Sequence, residues 1–164
     1  MPGMRIREFT ESDWVQVWPI IEDVITAGET FPYDPAWPAE VAYDVWVERP
    51  PGRTVVADED GRILGTAKMG ANRSGPGSHV ATASFMVAAD ARGRGVGRAL
   101  AEYALDRARR DGYAAMQFNA VVETNEAAVA LYRRLGFAVI GTVPEAFTHP
   151  RLGRVGLHVM HRPL

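Results

Sequence analysis

The stretch that decides the fold is residues 92–97, Arg-Gly-Arg-Gly-Val-Gly. Its glycines alternate, so the backbone can bend tightly and can turn N–H groups outward without obstruction by a Cβ atom. A helix pattern follows over residues 97–110, and the unpaired N–H groups of a helix N-terminus attract anions. Arg92, Arg94 and Arg98 add positive charge. The loop therefore predicts a binding site for a phosphate or pyrophosphate group.

Spacing excludes two other kinds of phosphate-binding loop. A dinucleotide-binding fingerprint requires Gly or Ala where Arg98 stands. A Walker loop requires four residues between its glycines, followed by Lys and then Ser or Thr, and the sequence has no such run. A tight glycine turn that only caps the following helix remains an alternative, and the arginines and the surrounding elements argue against it.

The segments around this loop predict a mixed α/β fold. Residues 79–87 form a strand pattern with few charges, which is typical of the centre of a sheet, and residues 113–121 form another. Strand, loop, helix and strand make a βαβ unit. The other predicted elements are a strand at 4–9, a helix capped by Ser12 with an apolar stripe to Ile25, an aromatic loop at 27–38, a short helix at 39–47, a hairpin of strands 54–57 and 63–69, a helix around 128–135, and strands at 137–142 and 156–160.

Length and composition predict one globular domain over residues 1–164, with 47% hydrophobic and 23% charged residues. The formal net charge of −2 gives no general attraction to nucleic acid or to an anionic membrane surface. The chain has no cysteine, which excludes disulfides and an acyl-cysteine intermediate. No stretch approaches the roughly 20 apolar residues of a membrane span. We therefore expect a cytoplasmic protein without nucleic-acid or membrane partners.

Neither a metal site nor a serine nucleophile is indicated. His158 and His161 are the closest histidine pair, but residues three apart on a strand point to opposite faces of the sheet. Ser84 lacks the Gly-x-Ser-x-Gly context of a nucleophile elbow.

Two motifs carry a resemblance to a known family. Arg92-x-x-Gly95-x-Gly97 matches the signature Gln/Arg-x-x-Gly-x-Gly/Ala, and residues 125–137 read Asn-x-x-Ala-x-x-Leu-Tyr-x-x-Leu-Gly-Phe. Over nearly its whole length the sequence resembles the GCN5-related N-acetyltransferases. The resemblance implies a twisted mixed sheet flanked by helices, with acetyl-CoA entering where the strands before Ala88 and Glu123 diverge. The cofactor-binding residues that it implies are Met86, Val87, Arg92, Gly93, Arg94, Gly95, Val96, Gly97, Arg98, Asn125, Ala128 and Tyr132.

Acetyl transfer to an amine has two proton-transfer roles to fill. The attacking amine must be neutral, and the departing thiolate leaves more easily beside an acid. The resemblance implies Tyr132 as that acid, and a core aromatic is the alternative for Tyr132. Many relatives carry a glutamate on the central strand, whereas residues 79–85 contain no carboxylate. Glu29 in the aromatic loop is the candidate base, with Glu123 second, and an amine of low pKa needs no protein base.

Two closer resemblances concern the acceptor. Residues 79–87 and 118–125 are similar to acetyltransferases that detoxify azetidine-2-carboxylate, which implies that Asn119 faces the substrate and that Asn125 assists the reaction. Those relatives carry Asn where this chain has Thr82. Residues 28–31 resemble the phosphinothricin-type acetyltransferases. The predicted substrate-binding residues are Glu29, Phe31, Thr82 and Asn119.

We therefore expect acetyl transfer to the amine of a small molecule, an amino acid or a toxic analogue. A protein or peptide N-terminus is the alternative acceptor, and a non-catalytic acyl-CoA sensor is the alternative class. The family also implies a homodimer.

Overall fold

The structure is a computed structural model and describes residues 3–164. The described residues form a sheet of seven strands in the order β1-β2-β3-β4-β5-β7-β6, together with four α-helices. The elements in chain order are β1 (Met4–Glu8), α1 (Trp14–Ala27), α2 (Ala39–Trp46), β2 (Arg53–Glu59), β3 (Arg62–Ala71), β4 (Val80–Val87), α3 (Val96–Arg110), β5 (Ala115–Val122), α4 (Glu126–Arg134), β6 (Ala138–His149) and β7 (Gly153–Pro163).

The sheet is mixed, as the family resemblance implied. β4 and β5 run parallel, and every other neighbouring pair is antiparallel. The parallel pairing joins Val80 to Ala115 and Ala81 to Met116, and it then ends although both strands continue. The two central strands therefore separate towards their C-terminal ends and leave a gap in the sheet.

Helices cover both faces because strand side chains alternate between them. Val56 and Met86 are buried on the face that packs against α1 and α2. Val55 and Leu64 are buried on the opposite face, which packs against α3 and α4. The loop between α1 and α2 lies on the first of these faces, and the α3–α4 pair lies on the second. No helix among residues 3–164 has the length and apolar character that a membrane span requires.

The start of the first helix differs from the prediction. Ser12 was the predicted cap, but residues 11–13 form a short 3-10 turn and α1 begins at Trp14. The Asp13 carboxylate accepts hydrogen bonds from the Thr10 backbone N–H at 2.8 Å and from the Thr10 hydroxyl at 3.2 Å. An ionised carboxylate is a stronger acceptor than a hydroxyl group, so Thr10 and Asp13 are the main contacts that fix this turn, and Ser12 adds only a 3.0 Å hydrogen bond between its hydroxyl group and that of Thr10.

Two hairpins are longer than predicted. Asp60 and Gly61 both have positive φ, 51° and 90°, and form a two-residue turn, so that β2 and β3 extend into the predicted loop. β6 was predicted to end at Thr142, yet it continues to His149. Its pairing shifts register between Val143 and Phe147. This irregularity breaks the alternation of side chains, which is why the sequence pattern ended early.

Candidate active site

The gap between β4 and β5 is lined by aromatic side chains. Tyr132 of α4 lies over it, with its ring 4.6 Å from Phe118 of β5 and 6.2 Å from Phe85 of β4, measured between ring centroids. Burial raises the pKa of the Tyr132 phenol. The hydroxyl group is therefore protonated at neutral pH and can act as a proton donor at the gap.

The glycine loop at the start of α3 is open to solvent. Gly93 and Gly95 adopt the left-handed conformation, with φ of 76° and 82°, which an L-residue adopts only with strain. Apart from the adjoining residues of the chain, no atom of residues 3–164 lies within 4 Å of a Cβ placed at either position. The first backbone bond of α3 runs from the Ala99 N–H to the Gly95 carbonyl oxygen at 3.0 Å. The N–H groups of the preceding helical residues, 96–98, have no acceptor within the helix, so this end of α3 can hold a phosphate group.

Surface carboxylates pair with two of the three predicted arginines. Arg94 donates to Glu59 at 2.7 Å, and Arg98 donates to Glu102 at 2.8 Å. Arg92 is exposed and forms no ion pair within the described part of the chain. Exposed ion pairs are worth about 0–1 kcal/mol, so they oppose re-pairing with a phosphate only weakly.

The ends of β4 and β5 offer further polar groups to a ligand in the gap. β4 is unpaired on its β5 side from Thr82 to Val87, a segment that includes Met86. Asn125 caps α4 through its Oδ1, which accepts a hydrogen bond from the Ala128 N–H at 3.4 Å. Beside it, the Thr124 hydroxyl is buried and has no hydrogen-bond partner among residues 3–164. An orphaned buried hydroxyl at this edge fits a bound ligand with a hydrogen-bonding arm.

The loop between α1 and α2 covers the face of the sheet that lies opposite α3 and α4. Its rings Phe31, Tyr33 and Trp37 form an aromatic wall there. The ring centroid of Tyr33 is 5.2 Å from that of Phe31 and 4.9 Å from that of Trp37. Phe31 also packs at 6.2 Å against the ring of Trp46 in α2. Thr82 projects from β4 towards this face, since it alternates with Ala81 and Ala83 of the other core. The aromatic loop predicted at residues 27–38 therefore packs its rings against one another and against α2.

The carboxylates proposed as bases are both engaged. Glu29 forms an ion pair with Arg151 in the turn between β6 and β7, and both side chains are exposed. Glu123 accepts a hydrogen bond from the backbone N–H of Gly156 in β7. A Cβ at Gly156 would collide with that carboxylate and would lie 2.7 Å from a Thr142 methyl group. Glu123 therefore holds the end of β5 against β7, which favours a structural role.

Asn119 lies in a chain of side-chain amides at the edge of the gap. Its Nδ2 donates to the Asn72 Oδ1 at 2.6 Å, and its Oδ1 accepts from the Gln117 Nε2 at 2.9 Å. Asn119 is exposed. The structure thus joins Asn119 to the loop that follows β3, while its role towards a substrate stays a prediction.

Sequence reasoning missed a polar cluster under the aromatic wall. Lys68 of β3 lies directly opposite Ser84 of β4, and its Nζ is 3.2 Å from the Glu48 carboxylate. Burial, with the nearby charge of Glu48, raises the pKa of the Tyr33 phenol to about 12, while a hydrogen bond with Ser84 opposes the rise. One signal was available: Lys68 is the only lysine among 18 basic residues, and it interrupts an apolar strand.

The histidines do not form a cation site. Among residues 3–164 there is no group of three or more His, Asp or Glu side chains that could hold a metal ion. The His158 Nδ1 is instead hydrogen-bonded to the Thr142 hydroxyl at 2.7 Å.

Comparison with known proteins identifies relatives of this architecture. A sequence model of the Acetyltransferase (GNAT) family matches residues 15–137. The solved structure of a GCN5-related N-acetyltransferase from Kribbella flavida is 56% identical, with a TM-score of 0.96, and the match covers 99% of this chain and 98% of that one. A ribosomal-protein-alanine N-acetyltransferase from Brucella melitensis is 28% identical, with a TM-score of 0.85 and coverage of 98% and 99%. A phosphinothricin acetyltransferase from Sinorhizobium meliloti, solved in complex with AcCoA, is 25% identical, with a TM-score of 0.85 and coverage of 99% and 89%.

Curated relatives match over a shorter stretch. An L-methionine sulfoximine/L-methionine sulfone acetyltransferase from Pseudomonas paraeruginosa is 36% identical over 92 residues, which are 56% of this chain and 53% of the relative. N-acetyltransferase aca1 from Schizosaccharomyces pombe is 34% identical over 84 residues, 51% of this chain and 40% of the relative. The matched part is thus about half or less of the length of these curated relatives.

Proposed function

This chain belongs to the Acetyltransferase (GNAT) family, and from that premise we propose that it transfers an acetyl group from acetyl-CoA directly to the amine of a small molecule, an amino acid or an analogue of one. The observation that carries the proposal is the open glycine loop at the N-terminus of α3, next to the gap between β4 and β5. A phosphate site beside a gap that separates the central strands suits an extended phosphorylated donor.

The residues at the gap fit acetyl-CoA. In our proposal the backbone N–H groups and arginines of residues 92–98 hold the pyrophosphate. The unpaired edge of β4 at Met86 and Val87 binds the pantetheine arm through its backbone. Asn125 and the orphaned hydroxyl of Thr124 supply side-chain hydrogen bonds to the same arm. When bound, acetyl-CoA supplies a thioester whose carbonyl carbon accepts an amine.

Two different residues carry out the two proton transfers in this proposal. The amine nitrogen forms a bond to the acetyl carbon, the carbon–sulfur bond breaks, and the Tyr132 hydroxyl donates a proton to the departing sulfur. The amine gives up a proton, for which Glu29 remains our candidate acceptor, and the hydroxyl group of Tyr132 is restored from solvent. The chain has no cysteine, so no acyl-cysteine forms and the transfer is direct.

Protein N-termini are the second candidate acceptors, and the similarity to the Brucella melitensis enzyme favours them. The aromatic wall of Phe31, Tyr33 and Trp37 favours small molecules instead, because it covers the acceptor face with closely packed rings. The similarities to enzymes named for methionine sulfoximine and phosphinothricin support the same choice.

The test measures free thiol released from acetyl-CoA with a panel of acceptors, and mass spectrometry identifies the acetylated product. The panel contains the common amino acids, methionine sulfone, methionine sulfoximine, phosphinothricin, azetidine-2-carboxylate and peptides with free N-termini. We expect amine-dependent release with members of the small-molecule group. Release with peptides alone would establish the second candidate, and tight acetyl-CoA binding without release from any acceptor would indicate a sensor.

The protein's assembly and location are also proposals. Ile140 and Val143 are 61% and 53% exposed on β6, which forms one edge of the sheet. Apolar side chains on an unpaired edge support a homodimer, and elution volume in gel filtration tests it. We propose a cytoplasmic location, which cell fractionation tests.

A further inference from the structure

The only lysine of the chain lies on the acceptor face of the sheet. Lys68 is within β3 and shares its face with Thr66, which accepts a hydrogen bond from the Trp46 indole of α2 at 3.0 Å. Its partner across the strands is Ser84 of β4, and β4 forms one wall of the gap. Lys68 is therefore one strand away from the reaction site proposed above.

Two contacts of the Lys68 ammonium group leave its third N–H donor without a partner among the described residues. Its Nζ donates to the Val45 carbonyl oxygen at 2.7 Å and pairs with the Glu48 carboxylate at 3.2 Å. An ammonium group has three N–H donors, so these two contacts leave a third for a ligand. The Lys68 side chain is 20% exposed, which keeps it within reach of a small molecule.

Stability is a weak explanation for this ion pair. Taking two charges partly out of water offsets most of their attraction, and apolar side chains at such positions often stabilise a protein as well or better. The β3 neighbours Ala67 and Met69 are buried in the core on the opposite face of the sheet, and Thr66 and Gly70, which share the face of Lys68, carry no charge. A charge at this position is thus better explained by a ligand.

A second donor lies beside the first. Tyr33 is in contact with Ser84, the residue opposite Lys68, and its raised pKa of about 12 keeps its hydroxyl group protonated at neutral pH. Lys68 and Tyr33 therefore both present hydrogen-bond donors near Ser84. Two donors, one of them cationic, suit a carboxylate oxygen.

We infer that Lys68 binds the carboxylate of the acceptor, that Tyr33 donates a second hydrogen bond to it, and that Glu48 positions Lys68. The inference rests on the proposed acetyl transfer and names its acceptor class: amino acids, whose carboxylate lies close to the reacting amine. Simple amines and amino-acid amides are poor acceptors, because they leave the third donor of Lys68 without a partner.

The experiment compares each accepted amino acid with its own carboxamide, which keeps the amine and side chain and loses the charge. Thiol release is measured for the unmodified protein, Lys68→Met and Lys68→Arg, with Arg110→Met as a control that removes an exposed cation elsewhere. We expect kcat/KM to favour the acid by about 10- to 100-fold in the unmodified protein, the range of a hydrogen bond to a charged group. Lys68→Met abolishes this preference by raising KM for the acid, Lys68→Arg restores part of it, and KM for acetyl-CoA stays constant throughout.

Removal of Lys68 leaves Glu48 without its partner, so the pair Lys68→Met with Glu48→Gln is measured as well, and thermal unfolding confirms that each variant folds. The double variant removes the unpaired charge and still lacks acid preference if the inference holds. Thiol release in which acids and amides react alike, or a Lys68→Met variant that keeps the full preference, overturns the inference and leaves the proposed acetyl transfer standing. Absence of release with every amine overturns the transfer and the inference together.

Discussion

Replacement of Tyr132 by Phe tests its proposed role as an acid separately from its role in packing, because the two side chains differ by one hydroxyl group. Its ring packs with Phe85, Phe118 and Phe137, while burial is the one cause of its raised pKa. Tyr132→Phe keeps the packing and removes the proton. We expect kcat to fall about 100-fold, within the ~10²–10⁴ range of general acid–base catalysis. KM for acetyl-CoA and the thermal midpoint should change little.

Tyr103→Phe is the matched control for this change, since Tyr103 is a partly buried tyrosine of α3 that packs against the same core. Initial rates of thiol release for both variants provide the measurement. If Tyr132→Phe turns over as fast as Tyr103→Phe, Tyr132 is a core aromatic and the acid must be sought elsewhere.

The ion pair of Glu29 and Arg151 allows a second test at the scale of single residues, which asks whether Glu29 accepts the proton or only links two segments. Their ion pair joins the loop between α1 and α2 to the turn between β6 and β7. We expect Glu29→Gln and Arg151→Gln to raise KM for the acceptor by a similar, few-fold amount, because each releases the same link beside the acceptor face. The pH dependence of kcat distinguishes the predicted base. If Glu29→Gln alone lowers kcat and removes the acidic limb of the profile of kcat against pH, the Glu29 carboxylate is the proton acceptor.

At the scale of an element, α3 has glycines with the same backbone conformation near both ends. Gly95 at its start and Gly112 after its end have φ of 82° and 86°, and a Cβ at either position would lie more than 4 Å from every described residue except its chain neighbours. Alanine at either position costs about 1 kcal/mol in backbone strain. We expect Gly95→Ala also to weaken acetyl-CoA binding about tenfold, because it moves the N–H groups at the start of α3.

Isothermal titration with acetyl-CoA and urea unfolding of both variants check this prediction. Gly112→Ala should lose stability and keep its affinity for acetyl-CoA. Equal dissociation constants for the two variants would show that the loop geometry at Gly95 does not contribute to the cofactor site.

The elements differ in how far the sequence could predict them. α3 and its loop were predictable because glycine spacing and helix periodicity are local signals. The length of β6 was not, because the register shift near Phe147 breaks the alternation on which strand prediction depends. The cluster of Tyr33, Glu48 and Lys68 could not be predicted either, since two of these residues lie in different loops and Lys68 lies in β3, and only folding brings them together. The uniqueness of Lys68 was its one visible sign.

At the scale of the whole molecule, the sheet separates the proposed acetyl-CoA site from the proposed acceptor site. The glycine loop and Tyr132 belong to the side of α3 and α4, whereas Thr82 and Lys68 face α1 and α2. The gap between β4 and β5 is the connection between the two sides. In the proposed arrangement the loop of residues 92–97 binds the donor, and residues on the other face of the sheet, distant from the loop in sequence, bind the acceptor. The loop therefore indicates the donor and gives no information about the acceptor.

One arginine joins the N-terminal strand to the turn before α1 and to β2. Arg7 of β1 donates to Asp13 at 2.8 Å and to Asp58 of β2 at 2.9 Å, and both carboxylates are nearly buried. Its hydrogen bonds are the main cause that lowers the pKa of both aspartates below the ordinary value of 3.8. Folding therefore favours their ionised forms. The resulting stability is complete above the ordinary pKa and disappears as the pH falls through the lowered values.

Arg7→Met should accordingly lower the free energy of unfolding by about 2–3 kcal/mol at pH 7, less than the ~3–5 kcal/mol of a fully buried pair because Arg7 is partly exposed. The deficit should shrink below about pH 4, where the aspartates become protonated and no longer need their partner. Urea unfolding from pH 7 to pH 2.5 measures both effects.

Arg110→Met, which removes a largely exposed partner of Asp106, serves as control and should change stability by no more than about 1 kcal/mol. A deficit in Arg7→Met that stayed constant down to pH 2.5 would mean that Arg7 stabilises the fold through packing of its side chain, without a contribution from the two carboxylates.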